Sequence, residues 1–141
     1  MRDTLIKAAL AIIATIAAAA SSPSRAQDAG GAIDGKSLFL KNCAACHQPT
    51  GKGIPGAFPA LAGSKFVQGQ SNDVAAVLLK GRGGMPDFSD SLSDRDIATV
   101  LTFVRSNWGN KADGLSETDV GALRATLGID AFGNSAMSNK H

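Results

Sequence analysis

The chain has 141 residues, with 14 Lys and Arg against 12 Asp and Glu and with no tyrosine. That length suits one domain. The charge balance leaves nucleic-acid binding without the excess of basic side chains that phosphate neutralisation needs.

Arg2 and Lys7 precede an apolar run over residues 8–20, interrupted only by Thr15. Ser24 and Ala26 then supply small residues at the −3 and −1 positions of a cut before Gln27. This order predicts a secretory signal peptide over residues 1–26, with a cut nearer Ala20 as a variant. An uncleaved anchor is the rival, but the run of 13 residues falls short of the about 20 that a span requires. No later stretch is long and apolar enough to cross a membrane. Removing residues 1–26 takes away three basic residues and one acidic one and leaves eleven of each.

Residues 27–33 are small and Gly-rich and read as a lead-in. Asp34 is placed to cap a first helix over 35–45, with Leu38, Phe39 and Asn42 along one side. That helix delivers Cys43-Ala44-Ala45-Cys46-His47, which holds both cysteines of the chain and one of its two histidines. The spacing is that of a c-type haem attachment site: each thiol can form a thioether to the porphyrin, and the histidine can bind iron. Three other chemistries use the same residues. A thioredoxin-like redox pair would want a surrounding βαβ pattern, a structural zinc would want four ligands, and a simple disulfide is the plainest of all.

Residues 48–64 are rich in Gly and Pro yet apolar at Ile54, Phe58, Pro59, Leu61 and Ala62. Such a segment cannot hold a long helix. It predicts either a wall against a bound ring or an ordinary loop over a small core. Asn72 is placed to cap a second helix over 73–80, carrying Val74, Val77 and Leu78 and ending at Gly81. The loop Gly81-Arg82-Gly83-Gly84-Met85-Pro86 follows. Met1 belongs to the signal and Met137 to a polar tail, so Met85 is the methionine of the central body. A lone methionine is ordinarily core filler. Beside a haem motif, it becomes the candidate sixth ligand to iron.

Ser93 caps a third helix over 94–107, whose apolar stripe is Ile97, Val100, Leu101, Val104 and Trp108, with Phe103 at its edge. Its expected contact is with the first helix near Gly35 and Phe39, where a glycine permits close crossing. Ser116 caps a last helix over 117–127, with Val120, Leu123 and Leu127 apolar. Residues 131–141 read as a polar, disordered tail. With no strand pattern and no repeat, the expected class is all-α.

The haem motif, the stretch Phe58-Pro59-Ala60-Leu61-Ala62-Gly63, the loop from Gly81 to Pro86 and the helix ending Phe103-Val104-Arg105-Ser106-Asn107-Trp108-Gly109-Asn110 together resemble a class I c-type cytochrome. The similarity covers residues 34–110 in the family's order. The closing segment is most similar to cytochromes serving periplasmic dehydrogenases, including the subunits of alcohol and sugar-acid dehydrogenases. Residues 111–130 then form a helical extension outside the family pattern.

This resemblance implies a small helical domain wrapped around one covalent haem c, held through Cys43 and Cys46. His47 would be the proximal iron ligand and Met85 the distal one. The Pro59 carbonyl would accept the ring N–H of His47, and Phe58 and Leu61 would pack on the porphyrin. Arg82, beside Met85 in the loop, is counted among the cofactor-binding residues. With Lys41, Lys52 and Lys80 it lies near the haem-binding segments, where these charges either orient docking or are scattered and solvated. Phe103 departs from the family, whose members often have tyrosine there. The implied function is a periplasmic electron carrier, not an enzyme. It would run from a dehydrogenase to another cytochrome or a terminal oxidase. The alternatives are a haem enzyme or gas sensor with an open distal site, and a non-haem protein using the cysteines as thiols or metal ligands.

Overall fold

Residues 34–133 are described by this computed structural model. The expected signal peptide, the lead-in and residues 134–141 of the tail lie outside them. Five helices follow in order: α1 (Gly35–Asn42), α2 (Ala44–His47), α3 (Ser71–Lys80), α4 (Asp94–Ser106) and α5 (Glu117–Thr126). Among the described residues there is no strand. Two isolated bridges, Ile54 with Phe58 and Arg82 with Met85, are the only extended pairings there. The class is all-α, as the sequence predicts.

The caps set the helix starts. Asp34 accepts the Ser37 backbone N–H at 3.0 Å. Ser93 and Ser116 each open a full capping box, with Asp96 and Asp119 bonding back to the cap residue's N–H. Each box satisfies backbone donors that the first turn leaves without partners.

Two expected boundaries are corrected. The first helix does not run through to residue 45: it stops at Asn42, and a new turn begins at Ala44. Cys43, at φ −123°, closes the first helix through its N–H to Phe39 O at 2.8 Å. Its own carbonyl then accepts His47 N–H at 2.9 Å. Ala44 and Ala45 are strong helix formers and hide this break from a propensity reading. The second helix starts at Ser71 after an extended Gln70, and Asn72 lies within its first turn instead of capping it. Leu79 is buried there, while Val77 is only half-buried.

α4 lies between α1 and α5, and α3 packs on both α4 and α5. The core takes Leu38 and Phe39 from α1; Val74, Ala75, Leu78 and Leu79 from α3; Ile97, Ala98, Val100, Leu101 and Val104 from α4; and Val120 from α5. Burying each large apolar side chain contributes about 1.5–3 kcal/mol. The crossing of α1 and α4 depends on Gly35. A Cβ there would lie 2.6 Å from Phe103 Cβ and 2.7 Å from Thr99 O, so any side chain would force the helices apart. Above the crossing, Phe39, Phe103 and Trp108 form an aromatic trio with centroids 4.9–5.7 Å apart. The trio keeps its packing with phenylalanine at position 103. Among the described residues, no helix is long and apolar enough to cross a membrane.

Candidate functional site

His47 closes α2 and is 7% exposed. Its Nδ1 lies 2.9 Å from the carbonyl oxygen of Pro59. A carbonyl only accepts, so Nδ1 carries the proton and donates it. The other ring nitrogen, Nε2, is left with its lone pair, which is the tautomer that binds a metal.

The loop between these residues folds onto itself. Gly53 N–H donates to His47 O at 2.9 Å, and Ile54 pairs with Phe58. Leu61 and Ala62 N–H both donate to Gly51 O, at 2.7 and 2.9 Å. Gly53, at φ +63°, must be glycine twice over: its backbone is left-handed, and a Cβ would strike the carbonyls of Phe58 and Pro59. The far end of the loop is tied to α4 by Asn110, which is 2% exposed. Asn110 Oδ1 accepts Gly63 N–H at 2.9 Å, while Nδ2 donates to Leu61 O at 3.0 Å and Val104 O at 2.9 Å. One buried amide thus fixes the carbonyl face of the loop against the last turn of a core helix. Nothing in the local sequence announces it, because its partners lie up to 49 positions away.

Cys43 and Cys46 are free and half-buried. They form no disulfide. Burial, followed by the neighbouring Cys46, pushes the Cys43 thiol up to about 11. Dithiol redox centres rely on a lowered thiol pKa, so this environment opposes that chemistry. Among the described residues, no group of three or more His, Cys, Asp and Glu is gathered closely enough to hold a metal ion. Among the described residues a structural zinc therefore lacks its ligand set.

Met85 comes from the second loop. It is half-buried against the core, together with Leu61 and Phe88. Its backbone pairs with Arg82 in both directions, at 3.0 and 3.1 Å. Gly81, at φ +70°, permits this: a Cβ would lie 2.7 Å from Met85 O. Phe88 N–H donates to Leu78 O at 2.7 Å and anchors the loop to α3. The Arg82 side chain is exposed, with its guanidinium 5.1 Å from the centre of the Phe66 ring. Pro59 and Phe58 are exposed and Leu61 half-buried.

These residues fit a haem. A histidine nitrogen is poised with a free lone pair, two uncrosslinked thiols precede it by one and four residues, and a thioether stands on a separate loop. Ile54, Phe58 and Phe66 leave large apolar side chains 38–43% exposed, a surface that a flat apolar ring can cover.

The sequence pattern of the family described as cytochrome c oxidase, cbb3-type, subunit III matches residues 31–104. The cytochrome c subunit of the quinone alcohol dehydrogenase of Gluconacetobacter polyoxogenes is 37% identical over 108 residues, covering 67% of this chain and 23% of that protein. The gluconate 2-dehydrogenase cytochrome c subunit of Pantoea cypripedii is 28% identical over 116 residues, covering 72% and 26%. Cytochrome c-552 of Thermus thermophilus is 33% identical over 93 residues, covering 55% and 70%. The chain thus spans about a quarter of the length of the dehydrogenase subunits it matches.

Proposed function

We propose, from the fact that this chain belongs to the cytochrome c family typified by subunit III of cbb3-type cytochrome c oxidase, that it is a monohaem electron carrier serving a periplasmic dehydrogenase. The observation that supports this best is the His47 ring, held by Pro59 at the end of the Cys43–His47 turn with one nitrogen free. The similarity to dehydrogenase cytochrome subunits supports the partner. The acceptor we assign is another cytochrome or a terminal oxidase. Residues 1–26 are removed on export, which places the domain where haem c is attached.

In this reading Cys43 and Cys46 hold one haem c covalently. His47 Nε2 and the Met85 sulfur would bind its iron. A bound haem supplies reversible one-electron chemistry, and a thioether ligand raises its potential. Pro59 keeps His47 in one tautomer and increases its basicity. Phe58 and Leu61 exclude water from the pocket. Two protein ligands leave no coordination position for substrate, which is what separates a carrier from an enzyme or sensor. Lys41, Lys52, Lys80 and Arg82 are exposed and are available to meet a partner through a small transient interface.

Production in a host competent for haem c maturation tests this. The expected product has an intact mass one haem above the processed chain, and its colour stays with the protein through acid–acetone extraction. Colourless protein defeats the proposal. N-terminal sequencing is expected to begin at Gln27, and purification from native periplasm and membrane is expected to recover a dehydrogenase with the cytochrome.

A further inference from the structure

We propose that Arg124, on α5, is a positioning residue for Met85. The inference rests on the reading of Met85 as an axial ligand given above.

The family pattern ends at residue 104, yet α5 places a guanidinium, 2% exposed, inside the domain. Arg124 Nε donates to Asp94 Oδ1 at 2.8 Å, in the first turn of α4. Its Nη1 donates to Ser89 O at 3.0 Å and to Asp130 O at 3.1 Å. A single rigid fork therefore joins three parts of the chain: the loop after Met85, the start of α4 and the segment after α5.

Ser89 is four residues beyond Met85 and is itself buried, and its hydroxyl donates to Asp87 Oδ1 at 2.9 Å. On the Arg124 side, the loop is held through this carbonyl. On the other side, it is held through Phe88 N–H to Leu78 O. Before Met85 stand Gly81, Gly83 and Gly84, and on that side the Met85 backbone is tied by its bridge to Arg82. An axial ligand must be kept within about half an ångström of its productive place. That bridge is internal to the loop, so further anchoring to the helices comes from beyond Met85, where Pro86, the Leu78 carbonyl and Arg124 act.

The chemistry of Arg124 points the same way. Its Nη2 is buried and makes no hydrogen bond. A buried charge with one orphan donor is a poor stabiliser, and an apolar side chain of similar length would fill the space without that cost. What an apolar chain could not do is hold the Ser89 carbonyl at a fixed distance from Asp94.

The test uses holoprotein. Arg124→Met removes the three bonds and keeps an unbranched stem as far as the Nε position. Val120→Ala loosens α5 from the core at a residue that is 0% exposed and makes none of those bonds. Urea stability, imidazole affinity of the oxidised protein and reduction potential are measured for both. Loss of a charged hydrogen bond to the loop is expected to make imidazole bind roughly tenfold tighter in Arg124→Met and to lower its potential. Val120→Ala is expected to lose stability with imidazole affinity within about twofold of wild type. Wild-type affinity in Arg124→Met overturns the proposal. So does a shift that tracks stability equally in both variants. If Arg124→Met yields no holoprotein, Arg124→Lys decides: lysine keeps the charge facing Asp94 but cannot span both carbonyls, so tighter imidazole binding supports the role and unchanged affinity ends it. Met85→Ala stands apart as the check on the premise. If it binds imidazole no better than wild type, Met85 is not the ligand and the reading beneath this proposal fails first.

Discussion

The loops carrying His47 and Met85 are built differently. The His47 loop folds on itself, with Gly53 bonded to His47, Leu61 and Ala62 bonded to Gly51, and Asn110 sealing its far end to α4. Around Met85 itself the loop makes one tight bridge, Arg82 with Met85, and the turns that follow it are tied to helices through Leu78 and Arg124. A ligand in a self-bonded loop is fixed once the loop forms. A ligand in a suspended loop takes its position from elements that can vary independently. The difference assigns permanence to one side of the site and adjustability to the other.

The largest effect should come from the fixed side. His47→Ala is expected to give no stable holoprotein, because the proposed iron ligand would be lost and with it the cofactor's contribution to folding. Accumulation of a normally coloured, stable variant would show that the two sides are not distinguished in this way. Next comes the adjustable side. Met85→Ala is expected to fold and to keep its haem. It should lose the near-infrared sulfur-to-iron band of the oxidised protein, with a lower potential and new access for external ligands. Met137→Ala should do none of this. A persisting band in Met85→Ala would remove the distal assignment.

A smaller effect sharpens the contrast from within the fixed loop. Asn110→Ala removes the three hydrogen bonds of a buried amide and leaves Gly63 N–H and two carbonyls to find other partners. A loss of roughly 2–4 kcal/mol is expected in denaturant unfolding. The potential should move less than in Met85→Ala. Gly35→Ala should be smaller still, roughly 1–3 kcal/mol, from overpacking against Phe103 and Thr99. Its spectrum should be unchanged, because the α1–α4 crossing carries no ligand.

How far the sequence reveals this contrast depends on how local each contact is. Ser93 and Ser116 announce their helices because a capping box is complete within four residues. The Gly35 crossing is legible because a glycine opposite an aromatic stripe has few other uses. The break at Cys43 is not, since Ala44 and Ala45 favour continuation and the chain turns on a backbone angle at one residue. Asn72 looks like a cap by type, yet the helix starts before it on an extended Gln70. Arg124 falls in a stretch read for its apolar positions, and Asn110 falls at a helix ending. Both are buried, and the loop groups they bond, at Ser89, Leu61 and Gly63, lie 35 to 49 positions away. Residue type suggests solvent for each, and only the fold supplies the carbonyls that make burial tolerable.

Trp108 has a use beyond packing. It is the chain's single tryptophan, and there is no tyrosine. Its indole is wedged between Phe39, Phe103 and Gly51, where a Cβ on Gly51 would come within 2.6 Å of the ring. Its backbone takes the left-handed φ of 52° to reach that place. This one fluorophore therefore stands where both terminal helices of the family segment meet the His47 loop. In a domain of this size, with a radius of gyration near 13 Å, a haem held at Cys43 and Cys46 would lie close enough to drain the excited indole by energy transfer. Native holoprotein should be almost dark on excitation of tryptophan and should brighten as the trio opens. A single emission channel would then time the parting of α1 from α4 with no label attached.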